Sequence, residues 1–381
     1  MFEPLRKPFR LAEYDLVLLL MVVALTSFGI VMVYSASSVM AAKNFHDGAY
    51  FLKRQLLFAL VGCVGALVTM RIDYQVWRRW AVPLLFVSLI LLVLVLIPGI
   101  GGKVKGASRW IRLPGFNLQP SEFTKIALIM YMAYSIDKKQ DRIRLLSAGF
   151  LPYIVVLMVL LGLLLKQPDM GAALTLAAVT IIMLFAAGTR LIFILGSGMV
   201  AMPFVIYLVV HSAYRLKRIK AFLNPEQDPT GIGWQIIQSK YAFGAGGFFG
   251  QGLGEGKQKL FYLPEAHTDF ILSVIGEELG FIGVIVIIGM FFILVQRAMR
   301  IAMAAQDTFG RFLALGIAVL FAIEAVVNMA VVTGLFPTKG LALPFLSYGG
   351  SSLLISLFAV GILLNISAGL KLAPLTGKDA K

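Results

Sequence analysis

The sequence predicts an all-α membrane protein, a polytopic bundle of ten transmembrane helices with a large extracytoplasmic loop between spans seven and eight. Three observations carry this. Hydrophobic residues make up 59% of the 381 residues and charged residues only 14%, against about 45–50% apolar and about 25% charged in soluble domains. Mean hydropathy is +0.89. The apolar residues also gather in runs near the length of about 20 residues that a bilayer crossing needs. Only helices or closed barrels satisfy every backbone group in lipid, and runs this long and apolar mean helices.

The spans fall at 16–40, 55–70, 80–98, 121–135, 146–165, 171–188, 191–210, 270–295, 311–335 and 352–370. The fourth is short and carries Glu122 and Lys125. An even number puts both ends on one face. With Arg6, Lys7 and Arg10 inside, residues 1–14 form a cytoplasmic leader, 211–269 the large outer loop and 371–381 a cytoplasmic tail of a single integral-membrane domain. The opening MFEPLRKPFRLAEYD is basic but lacks a small-residue cleavage site, so it reads as a leader and not as a removed signal peptide. Arg297 falls in an inner loop on this reading. The 34 Lys and Arg divide almost evenly between the two faces. Short outer loops usually avoid them, so their presence there points to an anionic ligand on the outer face.

The composition also excludes. The single Cys63 rules out a disulfide framework and a thiolate metal site, and His46, His211 and His267 are scattered. The net charge of +15 is spread over many short loops, which does not fit nucleic acid.

Three outer segments have the residue types for chemistry. GGKVKGASRWIRLPGFNLQPSE sets Lys103, Lys105, Arg109 and Arg112 on a Gly/Pro-rich loop with Trp110 among them. Arginine forks and lysine point charges suit phosphate oxygens; an interfacial loop on ordinary anionic lipids would look the same. Glu122 and Lys125 follow at i, i+3 on one helix face. Ionisable groups in a span are functional candidates, and a structural ion pair is the equal alternative. KQPDMG reads as a tight turn in which Asp169 pairs locally with Lys166.

The longest segment opens with RLKRIKAFLNPEQDPTGIGWQ, where Arg215, Lys217, Arg218 and Lys220 alternate with apolar residues, as in a helix lying at the interface. FGAGGFFGQGLGEGK lacks the GK[ST] ending and strand–helix setting of a phosphate loop, so its glycines serve close backbone approach. PEAHTD then puts Asp269 at the mouth of an apolar run. Helix capping is a common role for such an Asp. Glu277 and Glu278 follow inside the run. The last segment, GLFPTKGLALPFLSYGGSS, carries one charge, Lys339. Glu324 and Asn328, at i, i+4 in the preceding span, share a face and read equally as interhelical hydrogen bonders.

KGASRWI, QPSE, QPDMG, NPEQDPTGIGWQ, GQGLGEG, LPEAHTDFI, GEELG and LPFLSYGGSS, in this order on ten spans, resemble the SEDS family of bacterial shape, elongation, division and sporulation proteins. The resemblance covers nearly the whole chain. PEAHTDFI and the TKG before the final motif look like the division branch more than the elongation branch. The resemblance implies a peptidoglycan glycosyltransferase of the bacterial cytoplasmic membrane, at the division septum, polymerising lipid II, the undecaprenyl-pyrophosphate-linked disaccharide pentapeptide. It implies Asp269 as the catalytic position and Lys105, Arg109, Glu122, Lys125 and Lys339 as functionally sensitive, substrate-binding positions. It also implies a class B penicillin-binding protein transpeptidase as partner, among other division-complex membrane proteins.

The chemistry fits these residue types. A glycosidase generally uses two carboxylates because its leaving alkoxide must be protonated. A pyrophosphate is already a stable anion, so the displacement needs one base, and positive charge from Lys/Arg or a divalent cation such as Mg or Mn. The sequence leaves the metal open. A lipid II flippase is the competing reading, since intramembrane charges would also suit a headgroup path; it is disfavoured by the lack of a clear internal repeat.

Overall fold

The computed structural model describes residues 14–104, 107–113, 116–227 and 231–370. The leader before Tyr14, the tail 371–381 and Lys105 lie outside the described residues. Helices occupy each predicted apolar run: α1 Leu16–Phe45, α2 Tyr50–Arg71, α3 Gln75–Leu96, α4 Pro120–Lys138, α5 Leu151–Lys166, α6 Met170–Ala186 and α7 Leu191–Val210. After the large outer segment come α10 Ile271–Ala304, α11 Thr308–Val332 and α12 Gly350–Ala368. Among the described residues eight helices are long and apolar enough to cross a membrane, α5 with the wider turn Leu146–Phe150 that leads into it. The chain is a multi-pass membrane protein. Of the ten predicted runs, the two outside this set are α4, diluted by Glu122 and Lys125, and α6, which is apolar but short.

Two predictions need amending. The chain is not purely helical, because the basic loop after α3 is a three-stranded antiparallel sheet: β1 Gly101–Val104, β2 Ala107–Leu113 and β3 Phe116–Leu118. Backbone amides at an apolar boundary need partners, and a small sheet supplies them where water is scarce. The segment 211–269, expected to be a large loop, is also more than a loop. It contains α8 Ala213–Leu223, the basic amphipathic helix anticipated there, and α9 Ile232–Gly246. α9 packs on α10, with Ser239 Oγ 2.7 Å from Ser273 Oγ.

The bundle is ordered from inside out. α11 and α12 are the most buried spans, and α7 buries none of its residues. α11 lies against α4, α6 and α10, while α2 packs along α12. That last contact is close because Gly361 has no side chain: a Cβ there would sit 1.9 Å from Thr69 Oγ1. Without a hydrophobic drive between helices in lipid, small residues and polar contacts hold such pairs.

Arg297, placed in an inner loop from sequence, lies inside α10. It is buried and makes a two-point contact with Asp15, Nε at 2.8 Å and Nη2 at 2.7 Å from Oδ2. Asp15 also caps α1 by accepting from Leu18 N at 3.0 Å, and its own amide donates to Ser367 Oγ at 3.1 Å. One residue, Asp15, therefore ties α1, α10 and α12 together at one end of the bundle.

The glycine-rich turn after α9 repairs a break in α10. At Gly280 the helix leaves helical geometry, with φ +67° and ψ −165°. The free groups on either side pair with the turn. Gln251 N and Gly252 N donate to the carbonyls of Glu277 and Glu278, each at 3.0 Å, and Phe281 N donates to Gly247 O at 2.8 Å. The two acids inside α10 complete the joint. Glu277 accepts from the amides of Lys257 and Gln258, and Glu278 from Gly254 N, Ser35 Oγ and the Lys259 ammonium at 2.7 Å. The glycines thus permit close approach to a membrane helix. Gly250 has φ +81°, and a Cβ there would lie 2.2 Å from Glu278 O. Gly250→Ala is expected to destabilise the protein by about 1–3 kcal/mol. A lowered apparent Tm in detergent checks this, and an unchanged Tm would mean the turn is not held against α10.

Candidate active site

The segment before α10 is fixed by three successive carbonyls. His267 O accepts from Tyr348 N at 2.9 Å, Thr268 O from Ser347 Oγ at 2.6 Å, and Asp269 O from Asn328 Nδ2 at 2.9 Å. Below them Thr268 closes a turn onto Glu265, with Oγ1 2.9 Å from Oε2. The His267 ring packs between Phe51 and Tyr348, with centroids 4.7 and 5.7 Å away. Asp269 is not the cap of α10. The N-cap position is Phe270, which has no side-chain capping bond, so the half-buried Asp269 carboxylate is directed elsewhere.

It is directed over Gly340. A Cβ built on Gly340 would lie 3.3 Å from Asp269 Oδ2 and 3.9 Å from Arg109 Nη1. Carboxylate and guanidinium therefore converge on one exposed point of the chain, a point kept open by the absence of a side chain. Arg109 comes from β2 and is held from behind. Its Nη2 donates to Pro168 O, and its Nε lies 3.5 Å from Gln167 O. Lys339 stands next to Gly340 with its ammonium 4.9 Å from the Phe336 ring centre. Arg218, from α8, donates to Thr338 O at 2.8 Å. The amphipathic helix thus brings one of its cations to the Thr338–Lys339–Gly340 segment. Burial holds the Lys339 ammonium below the ordinary lysine range, and the neighbouring Arg218 adds to this.

Of the positions singled out from sequence, Asp269 and Arg109 converge here, and Lys339 adjoins them in the chain, next to Gly340. Lys105 lies outside the described residues. Glu122 and Lys125 sit one layer away, inside the bundle. Lys125 is buried, 2.7 Å from Glu122 and 2.5 Å from Glu324 of α11. Glu324 and Asn328 share a face of α11, as expected. Asn328 donates from the same nitrogen to Asp269 O and, at 2.7 Å, to Leu341 O. The ion triad thus braces the helix whose next turn grips both sides of the site. Breaking a buried ion pair by removing one partner costs about 3–5 kcal/mol, so these residues contribute through position even without touching a ligand.

Asp169 does not form the local pair with Lys166 expected from the turn. It caps α6 through Ala172 N at 3.2 Å and accepts from Ser121 Oγ of the QPSE motif at 3.0 Å. A cap and a hydroxyl satisfy a buried carboxylate without the entropic cost of ordering a lysine. Gly340 and the Gln167–Pro168 carbonyls were not predicted as site elements, and Asn328 reads equally as an interhelical hydrogen bonder. Gly340 had a signal, a glycine next to the one charge of an apolar segment. The others depend on contacts between distant parts of the chain. Among the described residues no three His, Cys, Asp or Glu side chains converge to hold a metal ion. Mg2+ is often bound through one or two carboxylates plus substrate phosphates, so a cation on Asp269 would draw most of its ligands from the substrate.

A helical membrane bundle with a carboxylate and a guanidinium meeting above a non-helical segment defines a class: multi-pass membrane proteins that carry a charged site beside irregular backbone. The chain belongs to the family described as cell cycle protein, the FtsW, RodA and SpoVE family, whose model matches residues 15–372. It is 98% identical over 381 residues, all of both chains, to the probable peptidoglycan glycosyltransferase FtsW of Trichlorobacter lovleyi. Among solved structures it resembles a chain of a peptidoglycan synthase complex that coordinates polymerization and crosslinking, with TM-score 0.77, 30% identity, and coverage of 94% of this chain and 98% of that one. It also resembles the rod shape determining protein RodA of Thermus thermophilus, with TM-score 0.70, 27% identity, and coverage of 96% and 100%.

Asn328→Leu removes the donor from two carbonyls and is expected to cost about 2 kcal/mol or more. Hydrogen exchange should rise selectively in peptides covering 265–271 and 338–344. Protection equal to wild type in both would show that Asn328 does not hold the site together.

Proposed function

We propose that the chain is a peptidoglycan glycosyltransferase that polymerises lipid II on the outer face of the cytoplasmic membrane, with Asp269 as general base. The observation that carries this is the convergence of Asp269 Oδ2 and Arg109 Nη1 on the open point above Gly340, with Lys339 adjoining. An acceptor sugar hydroxyl attacks the anomeric carbon of the donor. Its proton passes to the Asp269 carboxylate as the new glycosidic bond forms, and the bond to the lipid pyrophosphate breaks with its electron pair leaving on phosphate oxygen. A single displacement inverts the α-linked donor to a β-1,4 glycan. Arg109 and Lys339 neutralise the departing pyrophosphate, which is where preorganised charge lowers the barrier. A hydroxyl is far less acidic than a carboxylic acid, so proton transfer and attack proceed in concert.

The remaining parts of the reading follow from the same assignment. Ten crossings, with α4 and α6 included, put both termini on the cytoplasmic side and α8, α9 and the sheet outside. The site then faces the compartment in which glycan is built. The supported partner is a class B penicillin-binding protein transpeptidase, consistent with the resemblance to a synthase complex, and the setting is the division septum. Lys105, Glu122 and Lys125 enter as a further cation on the substrate and as braces of α11.

With purified lipid II, Asp269→Asn should abolish polymerisation while partner binding and apparent Tm are retained. Lipid II translocation in proteoliposomes by a protein that makes no glycan would replace this reading with transport. Gly340→Ala puts a methyl between base and guanidinium and should lower kcat/KM by about tenfold or more, at unchanged Tm.

Lys339 binds anion only when protonated. Because its pKa is lowered, that charge is present at low pH and is lost as pH rises through the lowered value, before an ordinary lysine would titrate. The alkaline limb of kcat/KM, which reports the free enzyme, should move to higher pH in Lys339→Arg, since arginine stays charged. A limb that does not move would assign it to another group.

A further inference from the structure

The cations at Gly340 account for a phosphate but not for the long hydrocarbon chain attached to it. A groove of 610 Å³ runs between α3 and α5, within the range of about 300–1,000 Å³ typical of ligand sites. Its walls are apolar, among them Leu89, Ile90, Val93 and Met158, with Gly162 on the α5 side and Lys166 at one end. Nothing lies within 4 Å of the position a Gly162 Cβ would take, so the groove stays open there. Lys166 is exposed and has no hydrogen-bond or ion-pair partner among the described residues.

The groove lies close to the candidate active site, with the buried Gln167 between them. The residue after Lys166 is Gln167, whose side chain donates to Leu92 O of α3 at 2.8 Å and whose carbonyl faces Arg109 Nε. One residue therefore spans the end of the groove and backs the site's guanidinium. A second cavity, of 440 Å³, begins where the first leaves α3, at Val95, and is lined on the sheet side by Ser108 and Arg112.

We propose that the α3–α5 groove is the binding site for the prenyl tail of a lipid-linked sugar pyrophosphate, with Lys166 meeting its phosphate at the groove mouth. This rests on the glycosyltransferase reading. An apolar trough ending in a cation that has no partner among the described residues matches an anionic head on an apolar chain, and its nearness to Arg109, through Gln167, favours the substrate's own tail over a bulk phospholipid.

Full-length protein in detergent would be labelled with a photoreactive long-chain prenyl phosphate. It would also be assayed with lipid-linked disaccharide pentapeptide carrying either the long tail or a short one. Label is expected on α3 and α5 peptides of the groove. Excess long-chain prenyl phosphate should displace it better than equal phosphatidylglycerol. Gly162→Phe, which adds a side chain into open space, should reduce labelling and lower the preference for the long over the short tail by about tenfold. Lys166→Gln should weaken labelling while Lys166→Arg restores it. Equal displacement by phosphatidylglycerol, labelling elsewhere, or equal loss on both tail lengths in Gly162→Phe would each overturn the proposal. A wild-type protein that labels in the groove but polymerises neither substrate would instead sink the glycosyltransferase reading and leave the lipid site standing.

Discussion

One side-chain amide holds the two halves of the site in register. Asn328, buried on α11, gives its nitrogen to Asp269 O on the segment entering α10 and to Leu341 O on the segment entering α12. Those segments are far apart in sequence, and neither is regular secondary structure. Irregular backbone at membrane depth is tolerated only where protein covers it or a water-filled cavity adjoins it. The Asn328 clamp, with Ser347 and Tyr348 on the preceding carbonyls, supplies that cover. The carboxylate that the proposed chemistry needs is therefore carried on a backbone with little freedom to drift. Positioning of this kind matters because small displacements of reacting groups are costly.

The charges divide into two populations. Asp15, Lys125, Glu278, Arg297 and Glu324 are buried and matched by partners inside the bundle. They join elements that hydrophobic packing alone would leave free to slide in lipid. Arg109 and Lys339 are half-buried at the edge of the site. Arg109 is held by backbone carbonyls, which orient it without neutralising it. Such an arrangement keeps positive charge available to a ligand.

Much of this was legible in the sequence because membrane helices are specified by length and apolarity alone. The ten runs became ten helices, and Asp269, Arg109 and Lys339 marked polar breaks that meet in space. The sheet was missed because lysine, arginine and glycine on a short segment look like a loop. ASRWIRL does not alternate apolar and polar residues, so no period-two signal marked the strand; only the turn-forming glycine and proline on either side did. Arg297 was misplaced because a charge near a helix end reads as loop until its partner, Asp15, is known. Asn328 was visible only as half of an i, i+4 pair. Its two acceptors are carbonyls, which carry no side-chain signature.

The break at Gly280 also bears on how the chain reaches its native state. The first turns of α10 do not close their hydrogen-bond ladder alone; they borrow donors and acceptors from Gly247, Phe248, Gln251 and Gly252, which are distant in the chain. Long-range contacts of this kind form late, because loop closure must precede them. The stretch of α10 next to Asp269 is thus completed only once α9 and the glycine turn have docked.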